Sequence, residues 1–159
     1  MNPSEVIIAI KEALNLNRPK ILTIYSLVSY PMGKERLDKI LKNSSNKNSA
    51  IATYEELGLF LDGLILFKRK EEAPKQVQEE EEIILSNNLI LKKIRAALNL
   101  KEFELLIIFQ LADFEISKSK IKDLFRSEEH PKYIECSNKT LKAFLEGLNE
   151  FYYESSDYL

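Results

Sequence analysis

The chain has one histidine and one cysteine, and both lie in the short stretch HPKYIEC, His130 to Cys136. A neighbouring imidazole can turn a thiol into a thiolate nucleophile. The spacing matches no strong catalytic motif, however, and a free cysteine is more often a small core residue. A zinc site wants several Cys or His ligands, and this chain has two in total. The four glycines (Gly33, Gly58, Gly63 and Gly147) are isolated from one another, so they form no phosphate-cradling loop. The residues therefore predict a non-enzymatic protein with no cofactor and no metal. Asp62 and Glu146 stand beside two of the glycines and read as solvated surface charges.

A second group of residues could do electrostatic work. Lys34, Arg36, Lys39 and Lys42 fall on one short segment, and Lys118, Lys120, Lys122 and Arg126 on another. An apolar helix, a turn and a short basic helix resemble a helix-turn-helix, whose second helix enters a major groove. Cations on that helix would supply phosphate contacts. The competing reading is a solvated helix face in a lysine-rich chain. The sequence pI of about 5.6 opposes strong non-specific binding.

The elements that must position these residues come in two sets. Shifting the chain by 84 residues aligns Pro3–Arg69 with Asn87–Tyr153 without a gap and gives fifteen identities. A self-match at fixed offset marks a repeated unit. ALNL recurs at Ala13–Leu16 and Ala97–Leu100, and the stripe at 57, 60, 61, 64 and 67 recurs at 141, 144, 145, 148 and 151. Gly63 and Gly147 sit at the edge of that stripe. A glycine inside a helix costs about 1 kcal/mol relative to alanine, so close approach of another helix backbone is expected at both.

Each copy reads as four helices. The first runs from Ser4, as N-cap, to Leu14, and its counterpart carries Ile90, Leu91, Ile94, Ala97 and Leu98 at helical spacing. The second helices cover Pro19–Ser29 and Phe103–Phe114. The third helices cover Gly33–Asn43 and Ser117–Arg126. The fourth helices cover Tyr54–Lys68 and Asn138–Tyr152. The predicted fold is all-α, with two pseudo-symmetric four-helix units from an internal duplication: residues 3–69, an acidic linker at 70–86, and residues 87–153. Ile65 and Leu66 make the first unit's last helix apolar nearly all round, where the second has Asn149 and Glu150. That helix should be buried on several sides, between the units or at a subunit contact.

Composition sets the wider limits. The chain has 159 residues, 45% hydrophobic and 30% charged, which suits a globular protein rather than a disordered one. No apolar run approaches bilayer length, and the opening MNPSEVIIAIKEAL does not read as a secretory signal. One cysteine allows no internal disulfide, which fits the cytoplasm. The linker carries six Glu against two Lys, so the net charge of −2 comes from the linker and tail while both copies are mildly basic.

Five stretches together resemble the YehS-like family of small bacterial proteins, a family of unknown function. They are NNLILKKIRAALNLK (Asn87–Lys101), FEISKSKIKDLFR (Phe114–Arg126), HPKYIEC (His130–Cys136), LKAFLEGL (Leu141–Leu148) and FLDGLILFKR (Phe60–Arg69). The resemblance spans nearly the whole chain. It implies a two-copy architecture and a bacterial cytoplasmic setting, and it implies no reaction and no cofactor. It also draws attention to His130, Tyr133 and Cys136, which the first copy's loop SSNKNSAIAT lacks.

The functional expectation is a non-catalytic cytoplasmic regulatory protein. It would bind DNA or RNA through the basic third helices, at Lys118, Lys120, Lys122 and Arg126 with Lys34 and Arg36. The alternative is a protein–protein interaction module, or a homodimer formed through the Ile65–Leu66 face.

Overall fold

The computed structural model describes residues 1–42, 46–70 and 85–156. Most of the acidic linker and the start of the 44–53 loop lie outside the described residues. Eight helices are present among them: α1 (Pro3–Leu14), α2 (Arg18–Leu27), α3 (Lys34–Leu41), α4 (Tyr54–Arg69), α5 (Asn87–Leu98), α6 (Glu102–Leu111), α7 (Lys118–Leu124) and α8 (Asn138–Ser156). No described residue is in a strand. The protein is an all-α duplication, with four helices in each unit.

Local chemistry sets the boundaries. α1 starts one residue earlier than expected, because Asn2 rather than Ser4 is its cap. The Asn2 side chain accepts from the Glu5 N–H, and Glu5 returns the bond to the Asn2 N–H at 3.0 Å. Pro3 then occupies the first turn, where a missing N–H costs nothing. Asn15 and Asn99 end α1 and α5 in the left-handed conformation, at φ 53° and 52°. Ser29 and Asp113, also equivalent across the repeat, have φ 56° and 53° after α2 and α6. The duplication has therefore preserved backbone conformation even where side chains differ.

The two units do not close separately. α4 packs on α5, α1 packs on α8, α1 meets α4 and α5 meets α8. These four helices form a central ring that is shared between the copies. α2 covers α4 and α6 covers α8, while α3 and α7 lie against α1 and α6. One continuous core results, with Ile7, Ile10, Phe60 and Leu64 from the first copy and Leu91, Ile94, Phe144 and Leu148 from the second. Removing this apolar surface from water is the main force joining the copies. α4 is central, as its apolar character suggested, but the more polar α8 holds the equivalent place. Ile65 and Leu66 are only half-buried.

The two repeated glycines mark one contact made twice. A methyl group on Gly63 would overlap the main-chain carbonyl oxygen of Ile24, and one on Gly147 would overlap that of Ile108. Each glycine lets the second helix of its own unit rest backbone-to-backbone on the fourth. Without this approach the α2–α4 and α6–α8 pairs would separate, and the aromatic contacts Tyr25–Phe60 and Phe109–Phe144 would loosen.

Candidate functional site

The loop before each fourth helix is tied down by a side chain from the first turn of that unit's first helix. In the first copy this is Ser4, which donates to the Ala50 carbonyl at 3.3 Å and accepts from the Ala52 N–H at 2.7 Å. The second copy uses Asn88 at the equivalent place. Its amide donates to the carbonyls of Ile134 and Leu124 and accepts from the Cys136 N–H at 2.8 Å. Asn88 is buried, so these three bonds satisfy groups that would otherwise be costly. Asn87 adds bonds to the Cys136 carbonyl and to Asn138.

This arrangement gives the HPKYIEC segment a structural role. Cys136 is buried, and burial pushes its thiol up to about 11. A thiol so raised is not a thiolate at neutral pH. Its weak hydrogen bond goes to the Ser137 carbonyl. His130 faces other groups: Nδ1 lies 3.0 Å from the Lys132 N–H, and Nε2 lies 3.2 Å from Arg126. A neutral imidazole accepts at only one nitrogen, so only one of these contacts is a full hydrogen bond at a time. Tyr133 is half-buried, and burial, followed by Glu128 and Glu135, raises its phenol.

The first copy has its own buried polar network. Glu56 is only 3% exposed. It accepts from Arg36 through both carboxylate oxygens, at 3.1 and 2.8 Å, and from the Thr53 N–H. The Tyr25 hydroxyl donates to the Glu56 carbonyl at 2.8 Å. Burial alone would raise the Glu56 carboxyl; the Arg36 and Thr53 bonds outweigh it and leave the group below its ordinary value. Across the repeat, Arg36, Glu56 and Tyr25 become Lys120, Thr140 and Phe109. The second copy replaces a charged network with a hydroxyl pair, Ser137 and Thr140.

These contacts revise the third-helix reading. Arg36 is committed to Glu56, and Arg126 to Asp123 and His130. Lys34, Lys118, Lys120 and Lys122 remain exposed. The connections from α2 to α3 and from α6 to α7 run over 28–33 and 112–117, six residues each. A helix-turn-helix uses a three- or four-residue turn, so the two helices are not held in that geometry. Asp62 is not simply solvated: it pairs with Lys93 across the copies.

A basic cavity of about 590 Å³ is lined by Arg69, Lys92, Arg95 and Lys101, with Phe125 and Glu102 at its wall. Two of the cations are aimed by neutral groups. Arg95 donates to the Leu100 carbonyl at 3.1 Å and lies over the Phe125 ring at 4.9 Å, and Lys92 donates to the Arg126 carbonyl. None of the four is in an ion pair among the described residues. In the first copy, Lys92, Arg95 and Lys101 become Ile8, Lys11 and Asn17. The fold therefore does not require the charges at 92 and 101, while Lys11 keeps the one at 95. Sequence reasoning missed this cluster, although KKIR offered a signal, since 92 and 95 share a helix face. Arg69 arrives from another helix, and spacing gives no hint of it.

No cluster of His, Cys, Asp or Glu that could hold a metal occurs among the described residues, and none of the described helices is long and apolar enough to cross a membrane. Comparison with known proteins gives a consistent picture. The curated "Uncharacterized protein YehS" of Escherichia coli (strain K12) is 28% identical over 149 residues, covering 93% of this chain and 94% of that protein. No solved structure matches. The model of the family described as "Protein of unknown function (DUF1456)" matches twice in tandem, at residues 5–70 and 87–152. The chain thus belongs to the DUF1456 family, whose repeated unit it carries in two interlocked copies.

Proposed function

We propose that the chain is a non-catalytic cytoplasmic binding protein that holds the phosphate backbone of nucleic acid at a basic cavity formed by the second unit and the end of α4. The observation carrying this reading is the set of four cations around one cavity, two of them aimed by carbonyls and none in an ion pair among the described residues. Such charge is costly to assemble and gains from a polyanion that releases counterions on binding. Arg126, just after the C-cap of α7, borders the cavity through its carbonyl, which accepts from Lys92. Of the third-helix lysines, Lys120 lines a separate cavity with Phe114 and Ser117, outside this site. Arg95 and Phe125 add a stacked pair of the kind that accepts an unpaired base.

The test is fluorescence anisotropy with labelled single-stranded and duplex oligonucleotides at low and moderate salt. The reading expects binding that weakens as salt rises, and weakens further in the Arg69→Gln/Lys101→Gln variant. An ATP arm separates nucleic acid from a small phosphate ligand. No binding of either oligonucleotide at low salt refutes the reading.

One observation favours a second reading, self-association. Phe103 and Ile107 are 60% and 38% exposed on α6, where the first copy has Pro19 and Thr23. Light scattering on the full chain tests it: a dimer lost on Phe103→Glu supports the reading, and a monomer at every concentration ends it.

A further inference from the structure

The two interfaces between the copies are related by the repeat, but only one is filled. Between α4 and α5, Leu85 lies over Gly58, 3.3 Å from where a methyl group would stand, and Lys93 pairs with Asp62. At the α1–α8 interface the equivalent residues are Met1 and Lys142, and Ala9 and Glu146, and all four line one cavity. The carboxylate has been kept and its ammonium partner is missing. Leu85 is 7% exposed and its counterpart Met1 is 36% exposed. A cavity of about 600 Å³ opens there, with Met1, Ala9 and Leu145 as its apolar surface and three carboxylates, Glu5, Glu12 and the exposed Glu146, against two ammonium groups around it. Glu146 has no ion-pair partner among the described residues.

We infer that this cavity binds an aliphatic ammonium group, whose chain lies on Met1 and Leu145 and whose charge meets Glu146. The molecule supplies its own comparison: the other interface holds this chemistry, a lysine side chain on the equivalent carboxylate. Truncating a lysine to alanine at such a position leaves a slot shaped for an alkyl chain with a cationic end. Lys139 and Lys142 line the same cavity. They select against a ligand charged at both ends, so a mono-amine should bind better than a diamine of equal length. The cavity is separate from the basic one, and this inference does not depend on nucleic-acid binding.

The test is an amide chemical-shift titration of the full chain with hexylammonium, hexanoate and 1,6-diaminohexane at matched ionic strength. The inference expects saturable shifts centred on Ala9, Leu145 and Glu146 with hexylammonium, and little change with hexanoate. Glu146→Gln should weaken binding about tenfold, a loss of ~1.4 kcal/mol. Ala9→Lys should abolish it by filling the slot from within. A parallel titration with Nα-acetyl-lysine methylamide identifies the source: tighter binding than hexylammonium points to a partner protein's lysine, weaker binding to a free amine. Equal shifts with hexanoate, or undiminished binding in Glu146→Gln, would overturn the inference, and Glu146→Gln keeps it testable even if Ala9→Lys misfolds.

Discussion

The α4–α5 and α1–α8 interfaces descend from one contact, and they now differ in what they leave to solvent. The first is closed by Leu85 and by the Lys93–Asp62 pair, and the second is open at Ala9 and Glu146. Both support the same ring of four helices. The closing side chains are therefore dispensable for the fold. The same comparison applies to the basic cavity, whose Lys92 and Lys101 have uncharged counterparts in Ile8 and Asn17. Features present twice, such as the glycine contacts and the left-handed Asn15 and Asn99, belong to the architecture. Of the features present once, the Arg36–Glu56 network is structural, and the two cavities are where the proposals above place a ligand.

The largest expected effects break something present twice. Gly147→Ala should destabilise the chain by about 3 kcal/mol or more, and Gly63→Ala by about 2–3, since each added methyl overlaps a carbonyl rather than a flexible side chain. Denaturant titration checks both. Gly58→Ala is the control. Its methyl meets only the end of Leu85, and the gain in helix propensity, about 1 kcal/mol, should leave it near neutral.

Next come the two polar networks. Arg36→Ala should cost about 1–3 kcal/mol, because Glu56 stays buried without its partner. Lys120→Ala, at the equivalent place, should cost almost nothing. The Glu56 carboxyl lies lower in the folded chain than in the unfolded one. Its contribution is thus present above the unfolded carboxylate value, near pH 4.3, and is lost as pH falls through the folded value. Acid titration of Glu56→Gln should lack that component of the stability loss. Asn88→Ala should cost about 2 kcal/mol by leaving buried carbonyls unpaired. It should also speed alkylation of Cys136, whose N–H it releases.

The smallest effect sharpens the interface comparison. Lys93→Ala should cost under about 1 kcal/mol, as part-exposed ion pairs do, and it should open at α4–α5 a slot like the one at α1–α8. Amide shifts with hexylammonium should then appear at Asp62 as well.

The fold was largely legible because duplication writes a pattern twice. Offset identities revealed the duplicated helical unit, and the paired glycines announced a close helix contact. Which helix made that contact was not legible, since periodicity describes one helix and is silent on its neighbour. The cap of α1 was misplaced although Asn2 and Glu5 have capping-box spacing; Ser4 is instead turned inward to hold Ala50 and Ala52. The candidate sites were much less legible. Arg36 and Arg126 look like surface cations in sequence, and only folding shows Glu56 and Asp123 against them. The Lys93–Asp62 pair and the Arg69 side of the basic cavity both join different helices of different copies.

The most direct test of the claim that the basic cavity carries function is the salt dependence of oligonucleotide binding. It should be measured for the parent chain, for Arg69→Gln/Lys101→Gln and for the first-copy control Lys34→Gln, with stability followed alongside. The account predicts that the double variant lowers the slope of log affinity against log salt by about 2, with stability unchanged and Lys34→Gln close to the parent. Equal slopes in all three proteins, or no binding in any, would contradict it.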